Sequence, residues 1–169
     1  LSGTGGVPLR VSSSLVKAAL SAGDLEETKR LIGRPFSISG RVCHGDHRGK
    51  SIGYPTANLH LPLQFLPPDG VYAAWSIEAG GAVSPAVLNI GTRPTFNGAE
   101  RRVEVHLLTP PAGDLYGRRL FVEFAARLRG EHRFESVEAL KTQIELDIQT
   151  ARQILRTAPA PAAIVTCSS

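Results

Sequence analysis

The stretch Gly-Asp-His-Arg-Gly-Lys-Ser-Ile-Gly-Tyr-Pro-Thr-Ala-Asn, from Gly45 to Asn58, concentrates residue types that can handle phosphate. Gly45, Gly49 and Gly53 are evenly spaced, and Arg48 and Lys50 lie between them. Glycines accept positive φ and let a ligand approach the backbone, so exposed N–H groups and two cations make a concavity suited to an anion. Thr56 and Asn58 are two residues apart, which in extended backbone puts a hydroxyl and an amide oxygen on one face. Both are hard oxygen donors, the kind magnesium accepts alongside waters and phosphates. A P-loop would need glycine where His44 stands and a helix after its Lys-Ser pair; Gly53 and Pro55 follow Lys50-Ser51 at once, so no helix is expected there. The same residues would also serve as a glycine-rich hairpin loop with solvated charges.

A carboxylate for proton transfer is less conspicuous. In the run 103–108, Glu104 and His106 alternate with Val103, Val105 and Leu107, so they point to the opposite face. On alternation alone, a solvated acid on the outer face accounts for Glu104.

These residues need a scaffold, and the hydrophobic pattern supplies one. From Phe36 onward apolar residues recur with period two: Phe36, Ile38 and Val42; Val71, Ala73, Trp75 and Ile77; Ala86, Leu88 and Ile90; Val103, Val105 and Leu107; Leu120, Val122 and Phe124. With Leu59 and Leu61 that makes about six strands, broken by Pro- and Gly-containing turns with no helix between them, which predicts an antiparallel sheet closed into a barrel. A long C-terminal helix follows, with Ser136 as N-cap and an apolar stripe through Val137, Leu140, Ile144, Ile148, Ala151 and Leu155. Asp147, on the edge of that stripe, is expected to accept hydrogen bonds from a loop. At the other end, serines 12–14 open one short helix closed by Gly23, and Asp24 with Glu27 in a capping box opens a second closed by Gly33. The expected division is a helical hairpin and linker over 1–33, the barrel and its helix over 34–156, and a tail over 157–169.

Bulk composition narrows the class. With 169 residues, 42% hydrophobic and 20% charged, the chain is long enough for one ordinary domain with a core. A net charge of +4 suits an anionic partner such as a nucleotide, but no Lys/Arg stripe interleaved with aromatics favours DNA or RNA. Cys43 and Cys167 lie too far apart in sequence to suggest a disulfide framework, and the five histidines show no metal-ligand spacing. No apolar run spans a membrane and no secretory signal is present, so a cytoplasmic location is expected. The chain opens on Leu1 and contains no methionine, from which a piece of a longer protein is expected.

Taken in order, Gly40-Arg41-Val42, Gly45-Asp46, Arg48-Gly49, Gly53-Tyr54-Pro55-Thr56-Ala57-Asn58, Pro68-Asp69-Gly70-Val71-Tyr72-Ala73, Asn89-Ile90-Gly91-Thr92-Arg93-Pro94-Thr95-Phe96, Val103-Glu104-Val105-His106, Leu115-Tyr116-Gly117 and Phe134 resemble the riboflavin kinase family over about residues 33–155. In bacteria that kinase is usually the C-terminal module of a bifunctional riboflavin kinase/FMN adenylyltransferase. The resemblance implies a six-stranded Greek-key barrel, and transfer of the ATP γ-phosphate to the riboflavin 5′-hydroxyl to give FMN and ADP with magnesium. It implies nucleotide binding by Gly45, Arg48, Gly49, Lys50, Gly53, Tyr54, Pro55, Thr56 and Asn58, the last two of these also holding the metal ion. Glu104 falls where the family has its catalytic glutamate, facing the 5′-hydroxyl. Arg93 falls in one flavin-site flap, and Arg129 and Glu131, matching the family's Arg-x-Glu, in the other. Tyr72, Trp75 and Phe96 are candidates to stack on the isoalloxazine, but for Trp75, which sits within the strand's apolar alternation, core packing is the favoured reading. Val11–Lys17 resembles the block that ends the adenylyltransferase module, but Leu15 replaces its arginine and the His-x-Gly-His signature is absent, so no FAD-forming activity is expected of this chain. Two other readings stand beside the kinase: a catalytically silent flavin- or nucleotide-binding barrel with a regulatory role, and a nucleic-acid-binding barrel.

Overall fold

In a computed structural model of the chain, residues 12–45, 48–61, 64–96 and 98–162 are described. Val11, Asp46, His47 and the tail from 163, each part of an expectation above, lie outside them, as does the Arg48 side chain. Six strands form where period-two runs meet turn residues: β1 (Ser37–Cys43), β2 (Ala57–His60), β3 (Gly70–Glu78), β4 (Val83–Thr95), β5 (Gly98–Leu107) and β6 (Arg119–Arg129). They close into an antiparallel Greek-key barrel in the order β1-β2-β5-β4-β3-β6, which leaves no open edge. The interior is filled by Ile38, Val42 and Leu59 with the inward residues Leu88, Ile90, Val103, Val105, Leu120, Val122 and Phe124.

One strand departs from the expected parity. Tyr72 and Ala74, not Ala73 and Trp75, enter the barrel core, while Ala73 and Trp75 pack outside against the C-terminal helix. β3 is covered on both faces, with apolar residues from Val71 through Trp75 on either side, so alternation in its sequence does not tell which set faces the barrel core. Register shifts against β6 between Val71 and Tyr72 and between Ala73 and Ala74 mark irregularities in the same strand.

Two helices, α1 (Ser13–Ser21) and α2 (Leu25–Ile32), form the expected hairpin, and Leu25 packs against barrel residues. The capping box is half made: Asp24 Oδ1 accepts from the Glu27 N–H at 2.8 Å, but the Glu27 carboxylate is taken by Arg30 at 2.6 Å. The Asp24 N–H goes instead to Ala19 O. Contrary to expectation, a single helical turn, α3 (Arg48–Ser51), forms inside the glycine-rich loop. It is closed by Tyr54 N–H donating to Gly49 O at 2.7 Å and by Gly53 at φ 96°, so the breakers end the turn without preventing it. After β6 comes α4 (Val137–Thr157), capped by Ser136 Oγ accepting from the Ala139 N–H at 3.0 Å. Its buried stripe starts at Leu140, since Val137 remains 49% exposed. Ala151 and Leu155 seal its C-terminal half onto Ala73. Among the described residues no helix is long and apolar enough to cross a membrane.

Candidate active site

Cross-strand register assembles the site. Asn58 of β2 is opposite Glu104 of β5, Glu104 is opposite Asn89 of β4, Asn89 is opposite Val71 of β3, and Val71 is opposite Arg129 of β6. Directly opposed residues have Cβ atoms about 5 Å apart, so these five make one continuous row. Because Val103 and Val105 are buried inside the barrel, Glu104 and His106 point outward, and the row lies on the barrel's outer wall. Helix α4 crosses over that wall and encloses a cavity of about 300 Å³ lined by Thr56, Glu104, Asn89, Arg129, Leu140 and Ile144 among others. The cleft is therefore a covered slot between the barrel's outer wall and the helix, not a site at the barrel's rim.

A second cavity, about 460 Å³, lies on the far side of Thr56 and His106, which line both. Its walls include Pro55, Ala57, Pro110, Leu115 and Tyr116. Tyr116 is stacked by His44 with ring centroids 4.0 Å apart, which ties the end of β1 to the 108–118 loop. His106 Nδ1–H donates to Pro55 O at 2.8 Å, so this ring is held by the loop as a neighbour of Glu104.

The glycine-rich loop is pinned to both walls. Tyr54 Oη donates to Glu145 Oε1 of α4 at 3.0 Å, and burial together with this carboxylate pushes its phenol above the ordinary tyrosine range. At Gly49 a side chain would overlap Tyr54 O, and at Gly45 it would overlap the Asn58 amide, so both glycines serve close approach. Gly49, Tyr54 and Thr56 line the first cavity, Pro55 and Thr56 the second, while Lys50 and Gly53 line neither.

Opposite the loop, Arg129 is held by protein acceptors on all three of its nitrogens. Its Nε donates to both Asp147 oxygens at 3.0 Å, Nη2 to Oδ2 at 2.8 Å, and Nη1 to Gly130 O at 3.1 Å. The guanidinium also lies 5.6 Å from the Phe134 ring centroid. Asp147 receives a further bond from Gln143 Nε2 at 2.9 Å, so the hydrogen bonds expected of it come from the end of β6 and from its own helix. Glu131 lines the cavity with its carboxylate over Gly91, where a methyl group would overlap it.

None of the three aromatic candidates lines the cavity, and Trp75 is packed away as core packing favoured. Tyr72 is fully buried in the barrel with its hydroxyl donating to Pro68 O at 2.5 Å, Trp75 lies under α4, and Phe96 is wholly exposed beyond the barrel. Arg93 sits on the hairpin two residues past Gly91 and does not line the cleft. Asn89 was missed by sequence reasoning; a lone polar residue at an outward position within the apolar stretch Pro85 to Ile90, two before Gly91, is the signal that could have found it.

The barrel is closed and carries beneath a helix a cavity of about 300 Å³, a shape suited to a small molecule and unlike the open groove of an oligonucleotide-binding barrel. The chain belongs to the riboflavin kinase family: the family model Flavokinase, described as riboflavin kinase, matches residues 32–155. The bifunctional riboflavin kinase/FMN adenylyltransferase of Escherichia coli K12 is 48% identical over 149 residues, which are 88% of this chain and 47% of that protein. This chain thus spans about half the length of the curated relatives it matches. A crystal structure of a macrolide-efflux protein from Streptococcus pneumoniae is similar with TM-score 0.77 at 35% identity, covering 84% of this chain and 46% of that one. Riboflavin kinase from Trypanosoma brucei shares the fold with TM-score 0.53 at 24% identity, over 73% of this chain and 81% of that one.

Proposed function

We propose that this chain transfers the γ-phosphate of ATP to the 5′-hydroxyl of riboflavin, giving FMN and ADP. The O5′–P bond forms, the bond from the γ-phosphorus to the β-phosphate oxygen breaks, and the hydroxyl proton passes to the Glu104 carboxylate. The observation that carries this reading is the row Asn58–Glu104–Asn89 with Thr56 beside it, where two cavities meet. Phosphoryl transfer needs little covalent help, only alignment, charge neutralisation and a base for the hydroxyl, and these residues supply each part. The 300 Å³ slot, walled by Leu140 and Ile144, suits a flat apolar ring system; the second cavity, with Tyr116 on its wall, suits a nucleotide base.

Magnesium fits the donor set. Among the described residues no group of three or more His, Cys, Asp or Glu is placed to hold a metal ion. Thr56 and Asn58 offer two neutral oxygens, which suffices only for an ion that arrives with phosphates and waters. Bound there, it would neutralise developing phosphate charge. Backbone N–H groups of the described part of the glycine-rich loop, Gly49 to Gly53, would approach the phosphates with Lys50 on the same turn, and Arg129 and Glu131 would border the flavin end with Arg93 on the hairpin beyond it. In a longer parent chain an N-terminal FMN adenylyltransferase module, as in the relatives, would consume the FMN, and a cytoplasmic location would supply both substrates.

Incubating this chain with riboflavin, ATP and magnesium should yield FMN by chromatography, and EDTA should abolish it. Absence of FMN at saturating substrates, with flavin still bound, would instead favour the silent barrel. A finer outcome follows from the contact at Gly91. Gly91→Ala should displace the flexible end of Glu131 and raise riboflavin KM about threefold to tenfold, equivalent to roughly 0.7–1.4 kcal/mol, with ATP KM unchanged in steady-state kinetics.

A further inference from the structure

The β4–β5 hairpin continues past the barrel as an arm. Pairing of β3 with β4 stops at Gly70↔Ile90, and pairing of β2 with β5 stops at Leu59↔Val103. Residues 91–95 and 98–102 therefore pair with each other and with no third strand among the described residues. A two-stranded ribbon is marginally stable in water by itself. Yet this arm continues the cleft wall: Gly91, on which Glu131 rests, and Arg93 share the face of Asn89.

The opposite face of the arm is held by one carboxylate from the loop before β3. Asp69 Oδ2 accepts from Thr92 Oγ1 at 2.5 Å, and Oδ1 accepts from Arg101 Nε at 2.8 Å and Nη2 at 2.6 Å. Thr92 and Arg101 are a cross-strand pair, so one side chain grips both strands at the arm's base. Arg101 Nη2 also donates to Pro67 O at 2.5 Å, which fixes the loop that carries Asp69. The main chain here ties down the other wall: Asp69 O accepts from Arg127 Nη2 at 2.9 Å, and Gly70 lies so close to Arg129 O that a side chain would overlap it.

From this geometry we infer that Asp69 is a positioning residue for the flavin end of the cleft. It clasps the base of the arm, and the clasped arm presents Gly91 as the seat against which Glu131 and the 130–134 loop close. It touches neither substrate. The inference rests on the riboflavin kinase reading for its ligand, but not for the clasp itself.

The test compares the whole chain with Asp69→Asn, which keeps an acceptor for Thr92 and loses the charge facing Arg101. Hydrogen exchange of arm amides, riboflavin binding by quenching of flavin fluorescence, and KM for each substrate are measured. Exchange in 91–102 should quicken and riboflavin Kd and KM should rise about tenfold, while ATP KM stays within about twofold and exchange in the barrel strands is unchanged. Thr92→Val, which removes one contact and no charge, should shift the same quantities in the same direction by less, and it keeps the test available if Asp69→Asn does not fold. Arm exchange and riboflavin affinity equal to wild type in both variants would overturn the inference. So would equal losses for both substrates accompanied by faster exchange throughout the barrel, the mark of a purely structural residue. If the wild-type chain binds riboflavin but makes no FMN, the kinase reading fails, and arm exchange with flavin affinity still decides the role of Asp69. If it binds no riboflavin, both fail.

Discussion

Glu104→Ala is expected to lower kcat by about 10² to 10⁴, the usual contribution of a positioned general base, with KM for riboflavin and ATP changed only a few-fold. Its neighbours in the strand, Val103 and Val105, hold β5 in the barrel core, so removing an outward side chain leaves the scaffold intact. Asn89 and Thr56 still line the slot, and Asn58 stays opposite position 104 in the sheet. Glu104→Gln is the sharper variant, since it keeps size and hydrogen bonding while losing the capacity to take a proton; it should be nearly as slow as alanine. Wild-type turnover by the glutamine variant in single-turnover assays would remove Glu104 from the mechanism.

The second large effect concerns an ion pair that never touches the reacting atoms. Asp147→Ala leaves the Arg129 guanidinium without its counter-ion in a largely covered position, the two side chains being 23% and 6% exposed. Breaking a buried pair on one side costs about 3–5 kcal/mol; the residual exposure of Arg129 reduces this to about 2–4 kcal/mol. For a chain of this size that corresponds to a fall in Tm of roughly 5–15 °C, readable by thermal melts. Replacing both partners, Arg129→Met with Asp147→Leu, should recover much of the stability, because no uncompensated charge remains. It should not recover riboflavin affinity, since Arg129 also anchors Gly130 and packs on Phe134, and with them the loop that closes the flavin end. Recovery of both together would mean that the pair serves stability alone.

Much of this protein is legible from residue order. Apolar alternation marks six strands, a three- and four-residue stripe marks α4, and the parity of Val103 and Val105 already turns Glu104 outward. The glycine-rich loop is recognisable because backbone approach demands glycine where Asn58 and Tyr54 press on it. Periodicity, however, reports that a face is covered, not what covers it. For β3, buried on both faces, it marked the strand but not which face is the core, and Tyr72 and Trp75 exchanged their expected sides. Register between strands distant along the chain set Asn58, Glu104 and Asn89 in one row, and the crossing of α4 made Glu104 and Asn89 part of the wall of a slot. Arg129 was turned to Asp147 and Asp69 to Thr92 and Arg101 for the same reason: a long-range polar contact depends on where two elements meet, and the local sequence of neither contains that information.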